Sequence, residues 1–214
     1  MLSDLSKKNV SVGSIAKKIV EDNKLLNEVL DNVDSDKAVV KYNSLNVLRF
    51  LSEKHPDVLY PEWNFFVKLL DNDNTFLRTI GLTIIANLST IDTDQKFEET
   101  FNKYYGLLED ASMINAANVV ASSGIIAKAK PQLQSKITKE LLRIDKTHHS
   151  SECKNIIKGK AILTFEEYFD ECREKKKIIQ FVRNELKNTR SATSKKADKF
   201  LKKWDKCVKN SKKN

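Results

Sequence analysis

Three features of the sequence predict an all-α chain. Five glycines and three prolines in 214 residues are too few for a fold of many tight turns, such as a β-sandwich or barrel. Apolar side chains recur every three or four residues along the whole chain, whereas alternating runs rich in Val, Ile and Thr are almost absent. The turns must then fall to Asp, Asn and Ser, which cap helices and close loops without glycine. Apolar residues make up 40% of the chain, enough to build a core.

Taken in order, a leading helix over 14–21 and a second over 24–30 precede the first polar turn. A long helix follows over 38–53, and His55-Pro56 ends it because proline disfavours helix in the residue before it. Pro61 suits the first position of a helix over 61–70, where its missing N–H costs nothing. Helices over 76–90 and 96–108 form the next pair, and 113–128 and 133–145 the one after. A helix over 153–172, with a kink expected near Gly159, leads to one over 176–187. The polar linker NTRSATS then separates the last helix, over 195–208.

The stretch LLDNDNTFLRTIGLTIIANL, residues 69–88, repeats. A shift of 37 residues sets Asp73 on Asp36, Leu77 on Val40, Arg78 on Lys41, Gly81 on Ser44, Leu82 on Leu45, Ile85 on Leu48 and Leu88 on Leu51. The same shift sets Asp110 on Asp73, Leu107 on Leu70, Ile114 on Leu77, Val119 on Leu82 and Ile125 on Leu88, with Asn115 replacing the basic residue. A fourth copy over 141–162 aligns only with an insertion. Each unit is a shorter helix, a polar turn and a longer helix whose apolar face cannot be buried alone, so neighbouring units must stack on one continuous core. Asp73 or Asn74, and Asp36 one unit earlier, are placed to cap the long helices. Gly81 and Ser44 sit where a small side chain permits close helix contact, which offsets the roughly 1 kcal/mol that a mid-helix glycine costs.

The run D73-x-x-x-L77-R78-x-x-G81-L82-x-x-I85-x-x-L88 resembles the helical hairpins of HEAT and armadillo-like proteins over roughly residues 24–165. The resemblance implies a right-handed α-solenoid of about four hairpins over residues 1–188, with 189–214 a basic helix capping the same domain. It also implies a ladder of charge pairs between adjacent units, Asp73 with Lys41 and Arg78 with Asp36 or Asp110, which Asn115 should interrupt in the third unit. Proteins of this kind commonly recognise other macromolecules along a concave face.

The net charge of +9 is uneven: residues 1–110 hold 13 Lys+Arg against 18 Asp+Glu, and residues 111–214 hold 25 against 11. Such a basic half can attract nucleic acid, an acidic protein or an anionic membrane surface. Yet 32 of the 38 cations are Lys and Asn is abundant, a bias that an A+T-rich genome produces by itself. Phosphate-reading surfaces lean more on Arg. Cys153, Cys172 and Cys207 are odd in number and form no CxxC pair, which fits reduced thiols in a cytoplasm. Residues 1–18 lack an apolar signal core, and the least polar run, 79–86, is closed by Arg78 and Asn87, so neither an export signal nor a membrane span is expected.

The last helix sets Ala197, Phe200, Leu201, Trp204 and Val208 on one face, with Lys195, Lys199, Lys202, Lys203, Lys206 and Lys209 around the rest. Capping of the array is the preferred reading, ahead of polyanion or membrane contact. His148, His149 and Cys153 have near-zinc spacing but no further ligand in reach, so loop polarity is the better reading and no metal or cofactor is expected. Phe66, Phe97 and Phe101 fit the core periodicity. Trp63, Phe65, Tyr104 and Tyr105 are partly surplus to it and are candidate partner contacts, with Lys136, Lys139 and Arg143 supplying charge. No nucleophile or phosphate-loop motif occurs. The expectation is a non-catalytic scaffold for a protein or peptide partner, with oligomeric state open. Nucleic-acid binding through the basic half is the alternative, and a HEAT-like DNA glycosylase a minor one.

Overall fold

The computed structural model describes residues 2–210, with side chains over 3–204. Of the predicted features, Lys206, Cys207, Val208 and Lys209 lie outside the described side chains. Every regular element among the described residues is helical. The chain divides into two compact units, Met1–Phe97 and Glu98–Asn214.

The first unit contains α1 (Leu2–Leu5), α2 (Val12–Glu21), α3 (Lys24–Asp31), α4 (Ala38–Lys54), α5 (Pro56–Leu59), α6 (Trp63–Leu69) and α7 (Thr75–Leu88). α4 packs on α2 and α7, and α6 packs on α7. The alternation of a short and a long helix follows from the caps. Asn74 accepts a hydrogen bond from the Phe76 amide at 2.9 Å and starts α7. Gly81 lets α7 approach α6 so closely that a Cβ there would lie 3.0 Å from the Phe66 carbonyl oxygen. Buried Asn43 donates from Nδ2 to the carbonyls of Leu5 and Lys7, at 2.8 and 3.0 Å, fixing the end of α1 against α4.

α8 (Lys96–Gly106) begins at the end of the first unit. The second unit continues with α9 (Met113–Ala129), α10 (Gln134–Leu141), α11 (Ser151–Tyr168), α12 (Lys175–Asn184) and α13 (Ser191–Asn210). α9 packs on α11, and α13 on both α11 and α12. Thr164 Oγ1 donates to the Val120 carbonyl at 2.8 Å across the first of these contacts. Half-buried Lys158 joins Asp145 at 2.8 Å and buried Glu185 at 3.0 Å, so the buried carboxylate keeps a counter-charge.

Several expectations are corrected. α1 and α5 have no counterpart in the predicted order, and Pro61 lies in a 3-10 turn before α6 rather than opening it. α11 runs unbroken through Gly159. Residues 191–194 of the expected linker already belong to α13. Asp36 caps nothing: Lys37 stands at the N-cap without a side-chain bond, and the Lys37 amide goes to Ser35 Oγ. No Asp73–Lys41 pair forms among the described residues. Arg78 donates to the Asn72 carbonyl at 2.5 Å and to Thr75 Oγ1 at 3.2 Å. Asp110 accepts from the Ser112 amide at 2.7 Å.

The repeat register also shifts. The residues at the N-caps of α4, α7, α9 and α11 are Lys37, Asn74, Ser112 and Ser150, so the spacing is 37 once and then 38. The third unit therefore matches the second one residue later than predicted. Ile114, set against buried Leu77 by the sequence, is 54% exposed, and Ile126 rather than half-buried Ile125 takes the core place of Leu88. One further residue per unit also restores the fourth copy that a fixed shift of 37 misplaced. α12 and α13, joined by a single 3-10 turn over Glu185–Lys187, have the same short-then-long plan.

Candidate functional site

A cleft of about 260 Å³ in the second unit brings together α8, the 3-10 turn that follows it (Leu107–Glu109), and the end of α10. Phe101, Tyr105, Glu109, Glu140, Arg143 and Thr147 are among its lining residues. α8 places its aromatics by simple periodicity: Phe97, Phe101, Tyr104, Tyr105 and Leu108 recur at spacings of one to four and are all buried. The Phe101 and Tyr105 rings lie 4.5 Å apart, and the Tyr105 hydroxyl is 2.9 Å from Ser123 Oγ. Ser123 donates onward to the Val119 carbonyl at 2.7 Å, which leaves its oxygen as acceptor for Tyr105. Burial pushes the Tyr104 and Tyr105 hydroxyls well above the ordinary phenol range, so neither ionises near neutrality.

Charged groups rim this wall. Lys136 Nζ sits 3.8 Å from the Phe101 ring centroid, a cation–π contact. Arg143 Nη1 donates to Glu140 Oε2 at 3.1 Å, one turn away on the same segment. Glu109 Oε2 accepts from the His148 amide at 3.1 Å and lies 2.9 Å from His148 Nδ1. The bond from the His148 ring is the largest influence holding the Glu109 carboxyl below the usual range, because it favours the charged form. His149 Nε2 is 2.9 Å from the Leu108 carbonyl oxygen, an acceptor only, so that nitrogen carries the proton. Thr147 gives its hydroxyl proton to the Ile144 carbonyl at 2.8 Å. The cleft thus offers an apolar wall and charges of both signs at its rim. Among the described residues no three His, Cys, Asp or Glu side chains converge as a metal set.

Of the candidate partner contacts, Tyr105, Lys136 and Arg143 are brought together around Phe101. Trp63 and Tyr104 are buried core residues that do not line the cleft, whereas Phe101, buried as deeply as Trp63, reaches it with an edge. Tyr105 is 4% exposed and contributes only its edge to the cleft. Phe65 is half-buried edge-on against Phe66, with ring centroids 5.4 Å apart. Lys139 is exposed and does not line the cleft. The sequence reading missed Glu109 and Glu140. The i, i+3 spacing of Glu140 and Arg143 was a visible signal for one of them, whereas nothing local links Glu109 to His148.

No protein-family model matches the chain, and no curated protein matches it in sequence. Among solved structures, a designed armadillo repeat protein is similar over 94% of this chain and 97% of its own, with a TM-score of 0.58 at 18% identity. An engineered protein matches over 94% of this chain and 85% of its own, with a TM-score of 0.49 at 14% identity. The fold is an all-α helical repeat of armadillo type. Among the described residues no helix is long and apolar enough to cross a membrane.

Proposed function

We propose that this chain is a non-catalytic scaffold that binds a protein or peptide partner, and that a partner segment carrying an apolar side chain and a carboxylate seats in the α8–α10 cleft. The observation that carries the reading is the cleft itself: Phe101 and Tyr105 present ring edges to it from a preorganised helix, Arg143 lines it, and Lys136 stands over the Phe101 ring. A rigid helical wall lowers the ordering cost of binding. Reduced Cys153 and Cys172 are consistent with a cytoplasmic location.

The test is affinity capture of partners by the full chain with quantitative mass spectrometry, beside Lys136→Ala and Arg143→Glu variants. Both substitutions fall on exposed side chains and leave the core intact. Recovery of the specific partner should fall about tenfold or more for Arg143→Glu, corresponding to roughly 1.4 kcal/mol or more. Partners recovered equally by the parent and both variants would sink the cleft reading. The second reading, nucleic-acid binding through the basic half, is favoured by the cations Lys160 on α11, Lys196 on α13 and Arg190 just before α13.

A further inference from the structure

The crossing of α11 and α13 is among the tightest helix contacts in the second unit. A Cβ on Gly159 would lie 2.6 Å from Thr193 Oγ1, and that hydroxyl donates to the Asn155 carbonyl at 2.7 Å. Asn155 Nδ2 in turn donates to Thr189 Oγ1 at 3.0 Å, and Asn188 Nδ2 to Asn155 Oδ1 at 2.9 Å. Three cations stand near this network in the chain: Lys160, next to Gly159, and Arg190 and Lys196, each three residues from Thr193. None of the three has an ion-pair partner among the described residues.

Apart from Glu152 at the start of α11, several carboxylates on the neighbouring elements are already engaged elsewhere. Glu185 and Asp145 hold Lys158, Asp198 holds Lys202 and Glu166 holds Lys203. Partial burial first, and then the nearby charges of Lys160 and Arg190, push the Lys196 ammonium below its usual range. A cavity of about 480 Å³ adjoins Arg190, lined also by Ser151, Asn155, Thr189 and a single carboxylate, Glu152. The long helices α11 and α13 both begin at this cavity, so their partial positive charges add to that of Arg190 there.

We propose that the α11–α13 crossing is a phosphate-backbone binding surface for nucleic acid, with Lys160, Arg190 and Lys196 each neutralising a phosphate. A membrane is the poorer fit because the apolar face of α13 is not free to insert. Ala197 and Phe200 are buried, and Phe200 and Trp204 pack on Phe169 with ring centroids 5.1 and 5.0 Å apart. Over residues 191–204 only the polar face of this helix is left to a ligand. Unlike the cleft reading, this surface does not involve α8 or α10, so the two stand or fall separately.

The experiment is fluorescence anisotropy of the full chain with a labelled DNA duplex of mixed sequence, between 50 and 200 mM salt. Three neutralised phosphates give a slope of log affinity against log salt of about −2.7, which is roughly a 40-fold loss over that range. The triple variant Lys160→Gln, Arg190→Gln, Lys196→Gln should abolish most of that slope. Glu152→Gln, which removes the one carboxylate lining the cavity, should tighten binding at low salt. A control triple variant at Lys17, Lys24 and Lys37 in the first unit should bind like the parent. The proposal is overturned by salt-insensitive binding, by equal losses in the two triple variants, or by polyglutamate competing as well as unlabelled DNA, which would mark an acidic-protein surface. Vesicles with phosphatidylserine competing better than DNA would assign the surface to a membrane and overturn it as well. Circular dichroism reports whether the triple variant folds; if it does not, Arg190→Gln and Glu152→Gln, both at exposed side chains, must still shift affinity in opposite directions.

Discussion

Gln95 holds φ at 61°, the left-handed region that favours glycine, and is the one described non-glycine residue to do so. It is held there by the start of α8. Asp92 accepts from the Tyr60 hydroxyl at 2.6 Å, from the Lys96 amide at 3.0 Å and from the Phe97 amide at 2.9 Å, so the chain must turn sharply between 92 and 96. Exposed Gln95 takes that turn. Gln95→Gly should therefore stabilise the protein by about 0.5–1 kcal/mol, since relief of the left-handed penalty exceeds the entropy lost on ordering glycine. Asp92→Ala should cost about 2 kcal/mol, roughly half from the lost cap and half from the Tyr60 hydroxyl left without its acceptor. Urea unfolding of the two variants beside the parent measures both, and the signs must be opposite. Neither feature was legible in the sequence: IDTDQKF contains five polar residues in a row, and only the packing of Tyr60 selects Asp92.

Helices were legible where caps and apolar periods agreed. α7, bounded by the Asn74 cap and a run of core residues through Leu88, was placed within two residues of its ends. Gly81 was read as a contact point, and the 3.0 Å approach to the Phe66 carbonyl supplies the geometry. Because that neighbour is backbone and cannot swing away, Gly81→Ala should destabilise by about 1–3 kcal/mol despite alanine's better helix propensity, a reversal that thermal unfolding would reveal. The surface aromatics were misjudged for a related reason. Trp63 and Tyr104 looked surplus because one buried face per helix was assumed, whereas both are enclosed in the structure. At the other end of the first unit, α1 depends on charge as well as on buried Leu5. Asp4 bonds Lys7 at 2.7 Å and Lys18 of α2 at 3.0 Å, and those hydrogen bonds hold its carboxyl down at about 2. A depressed carboxyl contributes its stabilisation above the unfolded value near 3.9 and loses it as pH falls through the folded value. The docking of α1 should thus persist down to about pH 4 and loosen between about pH 4 and 2, followed by the Leu5 methyl NMR signals, with the Asp4 carboxyl signal titrating near the lower limit. In Asp4→Asn that pH-dependent loosening should be absent.

At the scale of the whole chain, the sequence disclosed the charge asymmetry and the alternation of short and long helices, both of which are summed over many residues and survive local error. It could not disclose which cations are neutralised, because the partners of Lys158 and Lys203 lie 13 to 37 residues away and meet them only through helix packing. Nor did it settle the status of the last helix. α13 buries Thr193, Ala197 and Phe200 against elements of the second unit, and Thr193 closes the hydrogen-bond network at Asn155. With α12 it repeats the short-then-long plan of the earlier hairpins, so it should behave as part of the core rather than as an appended cover. A chain ending at Asn188 would uncover Phe169 and the α11 face around Gly159. Loss of the buried Phe200 side chain alone is comparable to a core Phe→Ala change, about 3–5 kcal/mol. The shortened chain should therefore melt at a clearly lower temperature, bind a hydrophobic dye and run as aggregate in size exclusion. An unchanged melting temperature and a monodisperse peak would show that α13 is dispensable to the fold.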